Sequence, residues 1–211
     1  MSEDAAIVTA RHFAYVAERT QREDAFCRRL KAAARKAGIP AIWIGPAQAS
    51  FLQILLKLVR AREVVDVGTL AGYSAIMMAR SGARVRTIEI NPRFADFAEA
   101  WIAKSDVARR VKVLRGDADA VLATIRSADA VFLDADKSGY PKYLRHAKRI
   151  LRPGGLLLVD NAFAFGQLFD EPAADPETPA VRRFNEIMAR ERAFHSVIVP
   201  IGDGLWVGVR R

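Results

Sequence analysis

The residues of this chain that could do chemistry fall at the ends of short apolar runs. Val64-Val65-Asp66-Val67 stops at Gly68-Thr69-Leu70-Ala71-Gly72, and a helical pattern resumes with Tyr73, Ser74, Ala75, Ile76 and Met77. A β-branched run, a small-residue turn and a helix start read as a buried parallel strand, a tight loop and a helix N-terminus. Gly68 and Gly72 remove Cβ atoms where the backbone must turn and a ligand could come close, but their spacing is not the G-x-G-x-x-G of dinucleotide enzymes. The next run, over 84–90, carries Glu89 about twenty positions past the loop, where doubly wound sheets place a carboxylate that accepts hydrogen bonds from a ribose. Asn91-Pro92 follows as cap and first helical residue, which fixes Glu89 at the strand tip. Two later runs end in Asp134, with Ala135-Asp136-Lys137 behind it, and in Asp160-Asn161. Asp134, Asp160 and Asn161 are hard oxygen donors from two strand ends, a set that suits Mg²⁺ or Ca²⁺. Lys137 is a candidate base for a substrate hydroxyl, because a nearby dication and partial burial both disfavour its ammonium form. Taken singly, each group has a plain structural alternative: a tight turn, a solvated strand end, a helix cap, a surface lysine. Taken together, they would face one crevice beyond the carboxyl ends of a parallel sheet.

The elements needed to position them are legible as alternation. Residues 5–37 carry apolar positions at helical spacing and predict two short helices broken near Thr20, ending before Gly38-Ile39-Pro40. A helix bearing Phe51, Leu52, Leu55, Leu56 and Val59 precedes the glycine strand. Helices are then predicted over 73–81, 92–105, 118–126, 140–151 and 179–191. Strands are predicted over 84–90, 111–115, 129–134 and 156–159, with Arg152-Pro153-Gly154-Gly155 as a helix stop. Two final strands, 195–201 and 205–210, are joined by Gly202-Asp203-Gly204, short enough to make them antiparallel. This is an α/β pattern: a mostly parallel sheet of seven strands covered by helices on both faces, in one domain spanning 1–211. Residues 162–177, with Phe163, Phe165, Phe169 and several acids, are too long for a plain connection and read as a lid. Residues 1–60 read as N-terminal helices covering the site.

Composition narrows the class further. The chain has 211 residues, 51% of them hydrophobic, enough for a sizeable core. Cys27 is the only cysteine, which excludes an internal disulfide and a cysteine-based metal site. Met1-Ser2-Glu3-Asp4 lacks the basic start and apolar core of a signal peptide, and no apolar run approaches a membrane span of about 18 residues, so a cytoplasmic location is expected. The formal charge is +9, from 33 basic and 24 acidic residues, but no long basic block interleaves with aromatics. Solvated helix faces explain that pattern, and nucleic acid remains the alternative.

The motifs also carry a resemblance. Asp66-Val67-Gly68-Thr69-Leu70-Ala71-Gly72-Tyr73-Ser74, Thr87-Ile88-Glu89-Ile90, Phe132-Leu133-Asp134-Ala135-Asp136-Lys137 with Tyr140 and Tyr143, Leu158-Val159-Asp160-Asn161 and Pro200-Ile201-Gly202-Asp203-Gly204-Leu205 occur in that order from about residue 42 onward. The chain resembles the cation-dependent O-methyltransferases, the family of the catechol and caffeoyl-CoA enzymes and their bacterial relatives. The resemblance implies a Rossmann-like class I methyltransferase sheet and S-adenosylmethionine as cofactor. Asp66, Gly68, Thr69 and Ser74 would serve the methionine end, Glu89 the ribose and Ala118 the adenine, with Ile44, Gly72 and Asp134 also in the cofactor site. It implies Mg²⁺, or Ca²⁺ or Mn²⁺, on Asp134, Asp160 and Asn161, with Lys137 as base and Asp134 beside it in the catalytic set. The acceptor implied is a small vicinal-dihydroxy phenol, with a hydroxyuridine in tRNA as the alternative, and the assembly implied is a homodimer. The chain departs from the family pattern at Asp66, where Glu is usual, at Ala47 and Ala49, where Glu and Gly are usual, and at Ala164, where Trp is usual. The departures around the acceptor pocket leave its occupant open.

Overall fold

The computed structural model describes residues 9–20 and 23–211; the parts of the first helical expectation on residues 5–8 and 21–22 lie outside it. Helices α1 (Ala10–Arg19), α2 (Ala25–Lys36) and α3 (Pro46–Leu58) come first. Strands β1 (Glu63–Val67), β2 (Arg84–Glu89), β3 (Val111–Arg115), β4 (Ala128–Leu133) and β5 (Leu151–Val159) then alternate with α4 (Tyr73–Ala79), α5 (Pro92–Ile102), α6 (Ala118–Thr124) and α7 (Tyr140–Ile150). Helix α8 (Thr178–Arg190) and strands β6 (Phe194–Val199) and β7 (Leu205–Arg210) complete the chain.

Local chemistry sets these boundaries. Proline occupies the first turn of α3, α5, α7 and α8, where its missing N–H costs nothing. The side chains of Asp24, Asn91 and Asp117 cap α2, α5 and α6 by accepting backbone N–H bonds. Strand β5 begins five residues earlier than its apolar run. Leu151 pairs with Ala128, the register shifts before Ala130, and the Pro153-Gly154-Gly155 segment forms the irregularity instead of an open loop.

The strand order is β3-β2-β1-β4-β5-β7-β6, with β1 to β5 parallel and β7 antiparallel to both β5 and β6. The chain runs outward from β1 to β3 and then returns to lay β4 on the other side of β1. That reversal parts the loops after β1 and β4 and opens a crevice at their carboxyl ends. Side chains alternate between two cores. Val64, Val85, Phe132 and Leu158 pack with α2, α3, α4 and α5, whereas Val65, Val131, Leu133 and Leu157 pack with α6, α7 and α8. No helix among the described residues is long and apolar enough to cross a membrane.

Candidate active site

A cavity of about 630 Å³ lies beyond the carboxyl ends of β1, β2, β4 and β5, a volume in the range of small-molecule sites. Ile44, Gly68, Thr69, Ser74, Glu89, Ala118, Asp134, Lys137 and Asn161 all line it. Asp66, Gly72 and Asp160 are not on its wall and act from behind it.

Asp66 is fully buried. Its Oδ2 accepts the hydroxyls of Thr87 at 2.9 Å and Ser74 at 3.1 Å, and the hydroxyls of Thr69 and Thr87 lie 2.6 Å apart. One carboxylate beneath the glycine loop therefore orients two hydroxyls on the cavity wall, that of Ser74 directly and that of Thr69 through Thr87. Its Oδ1 is buried with no hydrogen-bond partner among the described residues. Burial pushes this carboxyl up to about 7, against the lowering effect of its two hydroxyl donors.

The two glycines have different duties. Gly68 has φ +108°, and a Cβ there would lie 2.1 Å from the carbonyl oxygen of Asp134, so only glycine lets the loop cross the end of β4. Gly72, in the left-handed region, begins α4 and packs toward Ala98 and Ile102. Glu89 is held at the strand tip as expected. Its two oxygens accept the N–H groups of Leu70 at 2.8 Å and Asn91 at 2.9 Å, leaving further lone pairs for a diol.

On the opposite wall, Lys137 is 4% exposed. Its Nζ donates to Asp134 Oδ1 at 3.2 Å and to the Tyr140 hydroxyl at 2.8 Å. Asp160 is buried behind this pair, and Gln48 Nε2 donates to its Oδ1 at 2.6 Å. Burial and then the charge of Asp134 push the Asp160 carboxyl up to about 7. Asn161 adopts φ 66°, a conformation asparagine tolerates, and its Nδ2 donates to Asp203 Oδ2 at 3.1 Å. The amide is thereby turned so that its carbonyl oxygen is unengaged among the described residues. Two carboxylates that repel each other beside a free amide oxygen make a donor set that fits a hard dication. Among the described residues no cluster of three or more His, Cys, Asp or Glu forms a metal cage, so this set rests on two acids and an amide. A carboxylate for a diol, hydroxyl donors and a cavity of this volume likewise fit S-adenosylmethionine.

Several participants were given no role by the sequence. Gln48, 2% exposed, comes from α3, 112 residues before its partner Asp160. Thr87 is hidden mid-strand. Asp203, read as part of the final turn and of the last motif, also accepts the N–H groups of Phe165 at 2.7 Å and Gly166 at 3.0 Å, which ties that part of the 162–177 segment to the final turn. Glu177 Oε1 accepts the Lys137 N–H at 2.8 Å, and both Glu177 and Phe165 line the cavity. The periodicity of a sequence marks faces, and these four act through tertiary neighbours.

A family model described as O-methyltransferase matches residues 17–211. The catechol O-methyltransferase of Niastella koreensis is 36% identical over 172 residues, covering 78% of each chain. The catechol O-methyltransferase of Mycobacterium tuberculosis is 33% identical over 183 residues, covering 84% of this chain and 83% of its own. Among solved structures, an O-methyltransferase from Bacillus cereus in complex with S-adenosylhomocysteine superposes with a TM-score of 0.84 at 31% identity, over 94% of this chain and 96% of that one.

Proposed function

The chain belongs to the O-methyltransferase family, and from that membership we propose that it uses S-adenosylmethionine and a divalent cation to methylate one hydroxyl of a small vicinal-dihydroxy aromatic. The observation that carries this reading is the convergence on one cavity of Lys137 and Asp134, joined at 3.2 Å, with Asn161 beside them, Asp160 buried behind and Glu89 on the same lining.

In this reading the Glu89 carboxylate binds the ribose, while Ala118 and Ile44 flank the adenosine and Ser74 and Thr69 meet the methionine end. Lys137 takes the proton of the acceptor hydroxyl at Nζ, and the Tyr140 hydroxyl fixes the position of that amine. Asp134, Asp160 and Asn161 would hold the cation, which supplies electrostatic stabilisation of the developing phenoxide and orients two neighbouring oxygens. Gln48 and Asp203 hold two of those side chains in place. Phe165 on one side and Ile42, Trp43 and Ile44, between α2 and α3, on the other shield the site from water, with residues 162–177 as the lid. The remaining demand is alignment of oxygen, methyl and sulfur, which is positional.

Part of the basic charge lies away from the cavity. Exposed Arg62, Arg84, Arg110, Arg126 and Arg152 lie at or just before the starts of the five parallel strands, the edge of the sheet opposite the cavity. A phosphate backbone held there would not present a base to Lys137.

The test is methyl transfer from labelled cofactor to a catechol by purified protein. EDTA should abolish it and Mg²⁺ restore it. Asp160→Ala should mimic EDTA and resist rescue while still binding cofactor. Transfer that persists in EDTA would refute the cation and leave the wider methyltransferase class.

A further inference from the structure

Helix α2 contributes no residue to the cavity wall, yet it holds a cation against the back of that wall. Its buried face is Cys27, Leu30, Lys31 and Ala34, the i, i+3, i+4, i+7 stripe of a helix packed on a core. Three of those residues are apolar. The fourth is a lysine only 6% exposed, a place that lysine almost never takes without partners.

The partners are specific. Lys31 Nζ pairs with Glu23 Oε1, from just before the helix. The same ammonium lies 3.8 Å from the centre of the Tyr73 ring and 5.6 Å from that of Trp43. Arg35, one turn further along α2, places its guanidinium 5.1 Å from the Trp43 ring. Burial pulls the Lys31 ammonium below its ordinary pKa, against the hydrogen bond and the charge of Glu23. Tyr73 and Trp43 both line the cavity. Tyr73 opens α4, between Gly72 and Ser74, and Trp43 directly precedes Ile44. One buried cation outside the cavity therefore grips two rings of its wall, each next in sequence to a residue that the cofactor reading uses. Attraction between a cation and a ring face is strongest where water is excluded, as it is around Lys31.

We propose that Lys31 is a positioning residue for the cofactor: by gripping Tyr73 and Trp43 from behind, it fixes the part of the wall that receives S-adenosylmethionine and couples the docking of α2 to cofactor binding. The proposal rests on the S-adenosylmethionine reading above. Lys31 touches neither Lys137 nor the proposed cation ligands, so its influence falls on binding and not on the proton transfer. Linkage makes the coupling reciprocal: bound cofactor must hold α2 more firmly in place.

The experiment removes the two charges together. Glu23→Gln/Lys31→Met leaves neither partner buried alone, and methionine keeps an unbranched stem against the Tyr73 ring. Titration calorimetry should show the Kd for S-adenosylmethionine raised by roughly 10-fold, the scale of a desolvated contact between cation and ring. With Mg²⁺ and a catechol, KM for S-adenosylmethionine should rise by a similar factor while kcat stays within about 3-fold of the parent. The control is Lys148→Met/Glu191→Gln, which removes an ion pair joined at 3.0 Å that is not on the cavity wall, and it should bind cofactor as the parent does. A second measurement needs no variant. In the unmodified protein, S-adenosylmethionine should slow amide exchange in α2 by more than in β6, the strand at the edge of the sheet. An unchanged Kd in the folded double variant would overturn the proposal, as would equal weakening in the control. Exchange in α2 that ignores the cofactor would overturn the coupling even if the double variant did not fold. No binding of S-adenosylmethionine by the unmodified protein would refute the parent reading instead, and this proposal with it.

Discussion

Asp66→Asn should change the stability of the cofactor-free protein with a sign that depends on pH. The carboxyl is fully buried, and burial carries it from an ordinary value of 3.8 to about 7. Because it titrates higher when folded, the folded state keeps a proton that the unfolded state has already released. The stability associated with this group is therefore complete below about pH 4 and is lost as the pH rises toward 7. At about 1.4 kcal/mol per pKa unit, the loss across that window is roughly 4 kcal/mol. Asparagine cannot ionise and escapes this loss. It keeps an oxygen for the Thr87 and Ser74 hydroxyls but puts an NH₂ where Oδ1 now lies buried without a partner, at a cost of about 1–3 kcal/mol. The variant should be no more stable than the parent near pH 4.5 and more stable by roughly 1–3 kcal/mol near pH 8. Urea unfolding of both proteins at the two pH values measures this, and the Asp160 carboxyl, which titrates upward for its own reasons, is present in both and cancels to first order. A difference independent of pH would refute the view that Asp66 is a strained buried carboxyl. A variant less stable at pH 8 would show that the hydroxyl network outweighs the charge.

Three further outcomes follow from the same geometry. Glu89→Ala should weaken S-adenosylmethionine binding by about 10- to 100-fold through loss of charge-assisted hydrogen bonds, and calorimetry returning an unchanged Kd would remove Glu89 from the ribose site. Lys137→Met should bind cofactor normally and lower kcat by about 10²–10⁴-fold, whereas full turnover near pH 7 would place the base elsewhere. Gln48→Leu removes the donor at 2.6 Å from Asp160 and should weaken Mn²⁺ binding by roughly 10- to 100-fold, read by titration calorimetry; equal affinity in the two proteins would mean that Gln48 only packs.

The sequence by itself determined the alternation of strands and helices, the antiparallel ending and the placement of Gly68, Glu89, Asp134 and Asp160 at strand ends. Those are local properties. Periodicity, proline at helix starts and glycine in turns act within a few residues, and the carboxyl end of a parallel strand is a position that chain order specifies. The resemblance of the motifs carried the chemistry, and the family match agrees with it. What only the tertiary structure decided is which groups touch. Asp66 and Gly68 are two residues apart, yet one lies under the wall, tying Thr87 to Ser74, and the other is needed because its missing Cβ would strike the Asp134 carbonyl. Gln48 reaches Asp160 across 112 positions and Glu177 reaches Lys137 across 40. No periodic pattern can encode such pairs, since each depends on where a helix lands on the sheet. The charge of the site was the furthest from view. A count of +9 says nothing of sign by place, and the fold leaves carboxylates around the cavity.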